Sequence, residues 1–524
     1  MQENDITRDD SAEAVDAVAL TVFASRIASV CDEMGAVLRR TAFSPNIRDR
    51  LDFSCAVFDT AGRLTAQAAH IPVHLGSMAY AMAGVVGGIQ PEEGDVWVFN
   101  DPFLGGTHLP DVTLVAPVFV EGRLMGYVAN RAHHADIGAV TPGSMPLSTR
   151  LEGEGVVIPP RRLYAGGVRR GEVLEAITSA TRNPRQAAGD FAAQASSVRA
   201  GAVRLAELIG RIGPVDYPRA VASLNRYAER LVRDVVAAIP DGRYRFSDWM
   251  DDDGQGRRDL EIRVTVEVAG DEAVADFTGT SPQTGGNINC PLPVAAAAVY
   301  YVFRCLMPEQ TPPCAGAFAP VLIVAPEGCL VNARRPAAVA AGNVETSQRI
   351  VDAVCGALAQ ALPGRVPAAS HGSMNNLAMG GGSGDEAWDY YETMAGGAGG
   401  GPHGPGRSAI HTHMTNTLNT PLEALEMVYP LRIRRYAVRR GSGGAGRHRG
   451  GDGVVREYEL LAPAEATLIT ERRRHPPWGL AGGAAGAAGE NRLNGELLPG
   501  KAQCRLGPGD RLEIATPGGG GWGR

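Results

Sequence analysis

Histidine and aspartate crowd one stretch of this sequence. His108 and Asp111 stand three residues apart in Gly105-Gly106-Thr107-His108-Leu109-Pro110-Asp111, and the run His133-His134-Ala135-Asp136 follows. Two imidazoles and a carboxylate converging on one point suit a divalent ion such as Zn, Mn or Fe. Three protein ligands leave coordination positions open for water, whose pKa such an ion lowers. His134 or Asp136 could then orient a ligand from behind or carry a proton. A hydrogen-bonded polar turn would use the same residue types without any ion.

Bringing these residues together requires particular elements. Val112–Phe119 and Leu124–Asn130 flank Glu121-Gly122 as the arms of a hairpin. Its return strand would carry His133 back toward His108. Asp52–Asp59 reads as a strand, and Val96–Asn100 as a short buried one. Ser11–Arg40 reads as a long amphipathic helix, with Ser11 as its cap and apolar residues at helical spacing from Val15 to Val37. Arg185–Ile212 and Asp216–Ile239 read as two more helices. Arg243–Phe277 is β in character, because Leu260, Ile262, Val264 and Val266 alternate with polar residues. Val294–Leu306 and Thr346–Leu362 read as apolar helices, and short strands broken by glycine return after Val428. The expected class is mixed α/β (α+β), with mainly antiparallel strands in the C-terminal part. Three domains are expected, over residues 1–213, 214–363 and 364–524.

Two further histidine pairs need placing. His70 and His74 are four apart, but Pro72 between them argues against a helix, and a structural role is expected, with contacts to a substrate or to a metal ligand as the alternative. His411 and His413 would share one face of a strand and could bind metal or line a cleft. Cys55 sits in an apolar run and reads as core. The eight cysteines include no C-x-x-C pair and read as reduced, mostly buried thiols.

Composition excludes several function classes. A net charge of -7 without single-sign blocks gives no reason to expect nucleic acid or an anionic membrane as partner. No apolar run is long enough for a membrane span, and the acidic N-terminus does not resemble a signal peptide, so a cytoplasmic location is expected. No phosphate-cradling G-x-x-x-x-G-K-[ST] loop and no G-x-S-x-G elbow occur. Glycine, at 67 residues, concentrates late in the chain, where tight turns and close backbone approaches are expected.

Taken together, several long motifs resemble the hydantoinase B/oxoprolinase family. They include Asn100-Asp101-Pro102, Gly105–Asp111, His133–Gly138 and Thr141–Met145, then Gly286–Asn289, Ala341–Gln348, Tyr390–Thr393, His411–Asn419, Gly450–Gly453 and Arg472–Gly479. The resemblance covers nearly the whole chain. It implies metal ligands at His108, Asp111 and His133, with Asp52 as a further carboxylate. It also implies a hetero-oligomer with an A-type, actin-like ATPase subunit. That partner would use ATP to phosphorylate the carbonyl oxygen of a small cyclic amide, which the B-type chain then hydrolyses. A ketone-carboxylase subunit is the alternative within the resemblance, and a non-catalytic scaffold is the alternative outside it.

Overall fold

The computed structural model describes residues 17–68 and 71–524. The long N-terminal helix runs over Ala17–Thr41. The expected start of that helix at Ser11, and His70, lie outside the described residues. The remaining expected helices form at Pro184–Ile212, Asp216–Ala237, Leu292–Leu306 and Ser347–Ala361.

The first sheet has seven strands: β1 (Phe53–Phe58), β2 (Leu64–Ala68), β3 (Val96–Phe99), β4 (Asp111–Val120), β5 (Arg123–His133), β6 (Arg161–Ala165) and β7 (Val168–Arg169). They lie in the order β2-β1-β5-β4-β3-β6-β7, every pairing antiparallel. Glu121 (φ 51°) and Gly122 (φ 74°) both adopt left-handed backbone between β4 and β5. A two-residue turn of this kind matches the twist of its flanking strands, which locks the hairpin register. Both faces of β4 are covered. Leu114 and Ala116 join one apolar cluster with Phe191 and Val198 of helix Pro184–Ile212. Val115 joins another with Ala81, Met82 and Val85 of helix Ser77–Val86. This explains the almost unbroken apolar run in a strand of an antiparallel sheet.

A second sheet holds β8 (Gly242–Asp252), β9 (Arg258–Ala269), β10 (Glu272–Asp276) and β11 (Val321–Val324). Its β10–β11 pair is the one parallel pairing among the described strands. Two antiparallel sheets follow. One joins β12 (Asn376–Gly381), β13 (Trp388–Glu392), β16 (Ala464–Ile469) and β19 (Lys501–Leu506). The other joins β14 (Leu431–Arg439), β15 (Gly453–Leu460), β17 (Glu490–Leu493), β18 (Glu496–Leu498) and β20 (Arg511–Ala515). The chain is thus mixed α and β with several antiparallel sheets, and the first of them already lies in the N-terminal part.

The late glycines pack backbone against backbone. Gly519 N donates to Gly451 O at 2.9 Å, Gly521 N to Ala484 O at 2.8 Å, and Gly400 N to Gly520 O at 2.8 Å. A methyl group on Gly519 would stand 2.0 Å from Ala398 O, so no larger residue fits there.

Candidate metal centre

The sheet order sets three strand ends side by side. Asp111 opens β4, His133 closes β5, and the two are cross-strand partners. On the other side of β5, His133 N donates to Asp52 O at 3.0 Å, just before β1. The loop before β4 delivers His108, whose carbonyl accepts from Asp111 N at 3.1 Å. Asn100 pins that loop, donating to Leu109 O at 2.8 Å while its Oδ1 accepts from Ile158 N at 2.7 Å. As a result one ligand atom from each of His108, Asp111 and His133 lies within 4.8 Å of the others, all three residues buried.

Chemistry fits a cation at this point. The Nε2 atoms of His108 and His133 are buried and have no hydrogen-bond partner. His108 Nδ1 donates to Ala340 O at 3.3 Å, which leaves Nε2 its lone pair. His108 Nε2 stands 3.3 Å from Asp111 Oδ2. Ligands about 2.1 Å from a tetrahedral ion stand roughly 3.4 Å from one another. Burial pushes the Asp111 carboxyl up, but His108 and His74 overcome this and hold it well below the usual range. Burial, reinforced by His108, pushes His133 well below the usual imidazole range and so keeps it neutral. Burial pushes His108 down, but the Asp111 carboxylate overcomes this and raises it. A charged Asp111 and a neutral His133 thus already have the protonation state that metal binding needs, and His108 would give up its proton to an ion.

Several residues at this centre were not expected from the sequence. His74 Nε2 lies 3.4 Å from Asp111 Oδ2, while its Nδ1 meets Ser54 Oγ at 3.0 Å. Pro72 does exclude an α-helix there, but it opens a short 3₁₀ turn, Pro72–His74, that aims His74 inward. Thr107 Oγ1 donates to Asp111 Oδ2 at 2.5 Å, and Asn343 Nδ2 to the same oxygen at 3.3 Å. The Tyr391 ring stacks on His133 with centroids 4.6 Å apart. Asn343 and Tyr391 fall in motifs that carried the family resemblance, and that was the only sequence signal for them.

Other expected site residues lie elsewhere. His134 follows His133 and therefore faces the opposite side of the sheet. Its Nε2 meets Gln194 Oε1 at 2.9 Å, and its ring rests on Phe191. Asp136 accepts from Gly138 N at 2.8 Å and Arg182 N at 2.5 Å, which ties down a loop. The structure brings neither to the triad, so the proton-handling role expected of them has no geometric support. Asp52 is buried beside the triad but outside the mutually close set. Burial pushes its carboxyl to about 7, against the pull of Arg50. His411 and His413 are not in a strand. They lie in an irregular loop where His413 takes φ 55° and points Nε2 at Asp352 Oδ1, 3.4 Å away. Cys55 is fully buried in β1, with its thiol pushed well up by burial, as expected of core.

Polar contacts, not open space, mark this centre. A cavity of about 790 Å³ lies between helices Ala17–Thr41 and Asp216–Ala237 and the segment 309–313, and none of the triad lines it. It holds no cluster of metal-ligating side chains. No helix among the described residues is long and apolar enough to cross a membrane.

Known proteins resemble this chain over nearly all of its length. The sequence pattern described as Hydantoinase B/oxoprolinase matches residues 16–524. 5-oxoprolinase 1 of Arabidopsis thaliana is 39% identical, the match covering 97% of this chain and 42% of the plant protein. A putative D-/L-hydantoinase subunit of Pseudomonas sp. (strain NS671) is 33% identical over 97% of this chain and 90% of its own. The crystal structure of ATP-dependent caprolactamase from Pseudomonas jessenii superposes with a TM-score of 0.90 at 31% identity, covering 97% of this chain and 91% of that one. The chain thus spans less than half of the plant relative and most of the two bacterial ones.

Proposed function

This chain belongs to the hydantoinase B/oxoprolinase family, and from that premise we propose that it is the metal-dependent subunit of an ATP-dependent cyclic amide hydrolase. The observation that carries the reading is the pair of buried, unpartnered ring nitrogens on His108 and His133 beside the charged Asp111. Relatives named 5-oxoprolinase, D-/L-hydantoinase and ATP-dependent caprolactamase supply the reaction class.

A ring amide is stabilised by resonance and resists water. The chain has no nucleotide-binding motif, so the ATP-dependent step is assigned to an A-type ATPase partner. There the carbonyl oxygen would be phosphorylated, which makes its carbon electrophilic and turns the oxygen into a leaving group. A divalent ion held by His108, Asp111 and His133, with Asp52 as a further carboxylate, would supply water of lowered pKa. Asp111 stays ionised and neutralises part of the ion's charge. Thr107, Asn343 and His74 all meet Oδ2 of that carboxylate and fix its orientation. Tyr391, stacked on His133, fixes the plane of that ring. One water adding to the activated carbon gives a tetrahedral adduct whose C–N bond breaks, releasing the ring nitrogen as an amine and leaving an acyl phosphate. A second water then cleaves that acyl phosphate into a carboxylate and free phosphate.

The test uses the full chain co-purified with its ATPase partner. Metal content is measured by elemental analysis, and ATP-dependent ring opening is assayed with 5-oxoproline, hydantoin and caprolactam. His108→Ala should lower both metal content and turnover by at least about 100-fold, the upper range for residues that merely support metal ligands. Undiminished turnover in that variant would remove the assignment.

A further inference from the structure

The cavity of about 790 Å³ between the helices Ala17–Thr41 and Asp216–Ala237 takes no part in the reading above. Its size falls within the range of about 300–1,000 Å³ usual for small-molecule sites. Each helix turns one stripe toward it, spaced at the helical period. Leu20, Ala24, Ile27 and Ala28 come from the first helix. Ser223, Leu224, Arg226, Tyr227 and Arg230 come from the second. Ala66 of β2, Pro312 and Pro313 add further apolar surface.

Three arginines line the same space, Arg226, Arg230 and Arg304, and none has a carboxylate partner among the described residues. Arg304 Nη1 donates to Thr311 O at 2.6 Å and its Nη2 to Glu309 O at 3.2 Å. Backbone carbonyls thus hold that guanidinium in place and leave its charge unmatched. Arg226 Nη2 donates to the neutral Ser223 Oγ at 3.0 Å. Arg226 and Arg230 stand one helical turn apart, where like charges repel unless an anion lies between them. Glu309 is the one acid that lines the cavity among the described residues, against three guanidinium groups. Two further lining residues, Thr65 and Thr311, are each 1% exposed, and their hydroxyls meet no partner. A buried hydroxyl without a partner is a donor left open.

We propose that this cavity is a second ligand site and that it binds a small amphipathic anion. The apolar body of the ligand lies between the two helix stripes, and its carboxylate or phosphate head meets Arg226, Arg230 and Arg304. Guanidinium groups suit such a head because their N–H donors match its paired oxygens. A neutral ligand of the same shape would leave the three charges unmatched, and a cation would add to them. The site is separate from the metal centre, since none of His108, Asp111 or His133 lines it.

The probes are octanoate, octyl phosphate, octanol and octyltrimethylammonium, which share a short alkyl chain and differ in charge. Binding of each to the full chain is measured by ligand-observed NMR titration. At least one of the two anions should bind about tenfold more tightly than octanol, the gain from one charge-assisted hydrogen bond, and the cation should bind no better than octanol. Preference for octanoate marks the natural ligand as a carboxylate, and preference for octyl phosphate marks it as a phosphate ester. Arg226→Gln combined with Arg230→Gln breaks only the bond to Ser223. It should erase the preference for an anion and leave octanol binding unchanged. Ala28→Phe fills the space without touching a charge and should weaken anions and octanol alike, and Ala24→Leu gives the same reading should Ala28→Phe not fold. Equal affinity for anion, alcohol and cation would overturn the proposal. So would an anion preference that survives the loss of both arginines, or anion binding that survives the filled cavity. Failure of every probe to bind would overturn it too and leave the space to a protein segment. Neither metal content nor ring opening enters this test, so the hydrolase reading stands or falls separately.

Discussion

Two buried polar clusters lie close together in this protein, and they are wired in opposite ways. Around His108, Asp111 and His133, one carboxylate is surrounded by donors while two ring nitrogens face no partner. In the second cluster the charges are matched. Arg472 holds Asp248 at 2.8 Å and Asp352 at 2.5 Å, Lys501 holds Glu471 at 2.5 Å, and Arg349 reaches the other Glu471 oxygen at 3.3 Å. Its members come from β8, the helix Ser347–Ala361, the segment after β16 and β19. It is thus a clamp that ties the second sheet to the third. Burial alone does not mark a functional site. What separates the two clusters is which valences are left open. In the clamp only guanidinium nitrogens of Arg349 and Arg472 lack a hydrogen-bond partner and the carboxylates are all met, whereas at the triad the open atoms are ring nitrogens able to bind an ion.

The sharpest way to break this comparison is to treat the clamp as though it were the site. Arg472→Met removes the cation between two buried carboxylates. Breaking a buried ion pair from one side costs about 3–5 kcal/mol. Urea denaturation should show that loss, while the metal content of the folded variant stays at the wild-type level. A variant that lost metal but kept its stability would reverse the two assignments.

A smaller effect is expected on the other side. Thr107→Val keeps the shape of the side chain and removes the hydroxyl that donates to Asp111. Support of this kind is worth about 10–100-fold in metal affinity. Competition against a chelator should register that loss with little change in the unfolding midpoint.

A pH-dependent effect concerns Glu345, which lies between the clusters. Its Oε1 accepts from Asn376 at 2.6 Å, and Asn376 in turn accepts from the Tyr391 hydroxyl at 2.7 Å, while Glu471, Lys501 and Arg473 act on it from the clamp. Burial, and then the charge of Glu471, pushes its carboxyl to about 8. The folded chain therefore keeps a proton that the unfolded chain has already released above the ordinary carboxyl range. The stability this provides is fully present below about pH 4.5 and is lost as pH rises through about 8, with a slope up to about 1.4 kcal/mol per pH unit. Glu345→Gln should flatten that part of the profile when unfolding midpoints are compared from about pH 5 to about pH 8. An unchanged slope would place its origin in another group.

The legibility of each region in the sequence follows from how local its cause is. The β4–β5 hairpin could be read because two apolar runs and one turn decide it, and closing that turn puts Asp111 opposite His133. The helix Asp216–Ala237 could be read because its apolar stripe repeats at the helical period. His134 was read together with His133 because adjacency in sequence looks like proximity, yet strand alternation sends adjacent side chains to opposite faces. His411 and His413 were expected to share a face only on the assumption of a strand that does not form.

By itself, then, the sequence determined the residues able to hold a divalent ion and the hairpin that pairs two of them. It also determined the glycines without which late segments could not touch backbone to backbone. The tertiary structure alone decided that His74 joins the centre, that a π-turn more than two hundred residues away supplies Asn343, and that the arginine-rich motif near Arg472 serves a clamp. The reason is physical. Spacing along a chain fixes only neighbours within one turn or one strand pair, whereas partners for a buried polar group are recruited from whichever segments the packed core brings within hydrogen-bond reach.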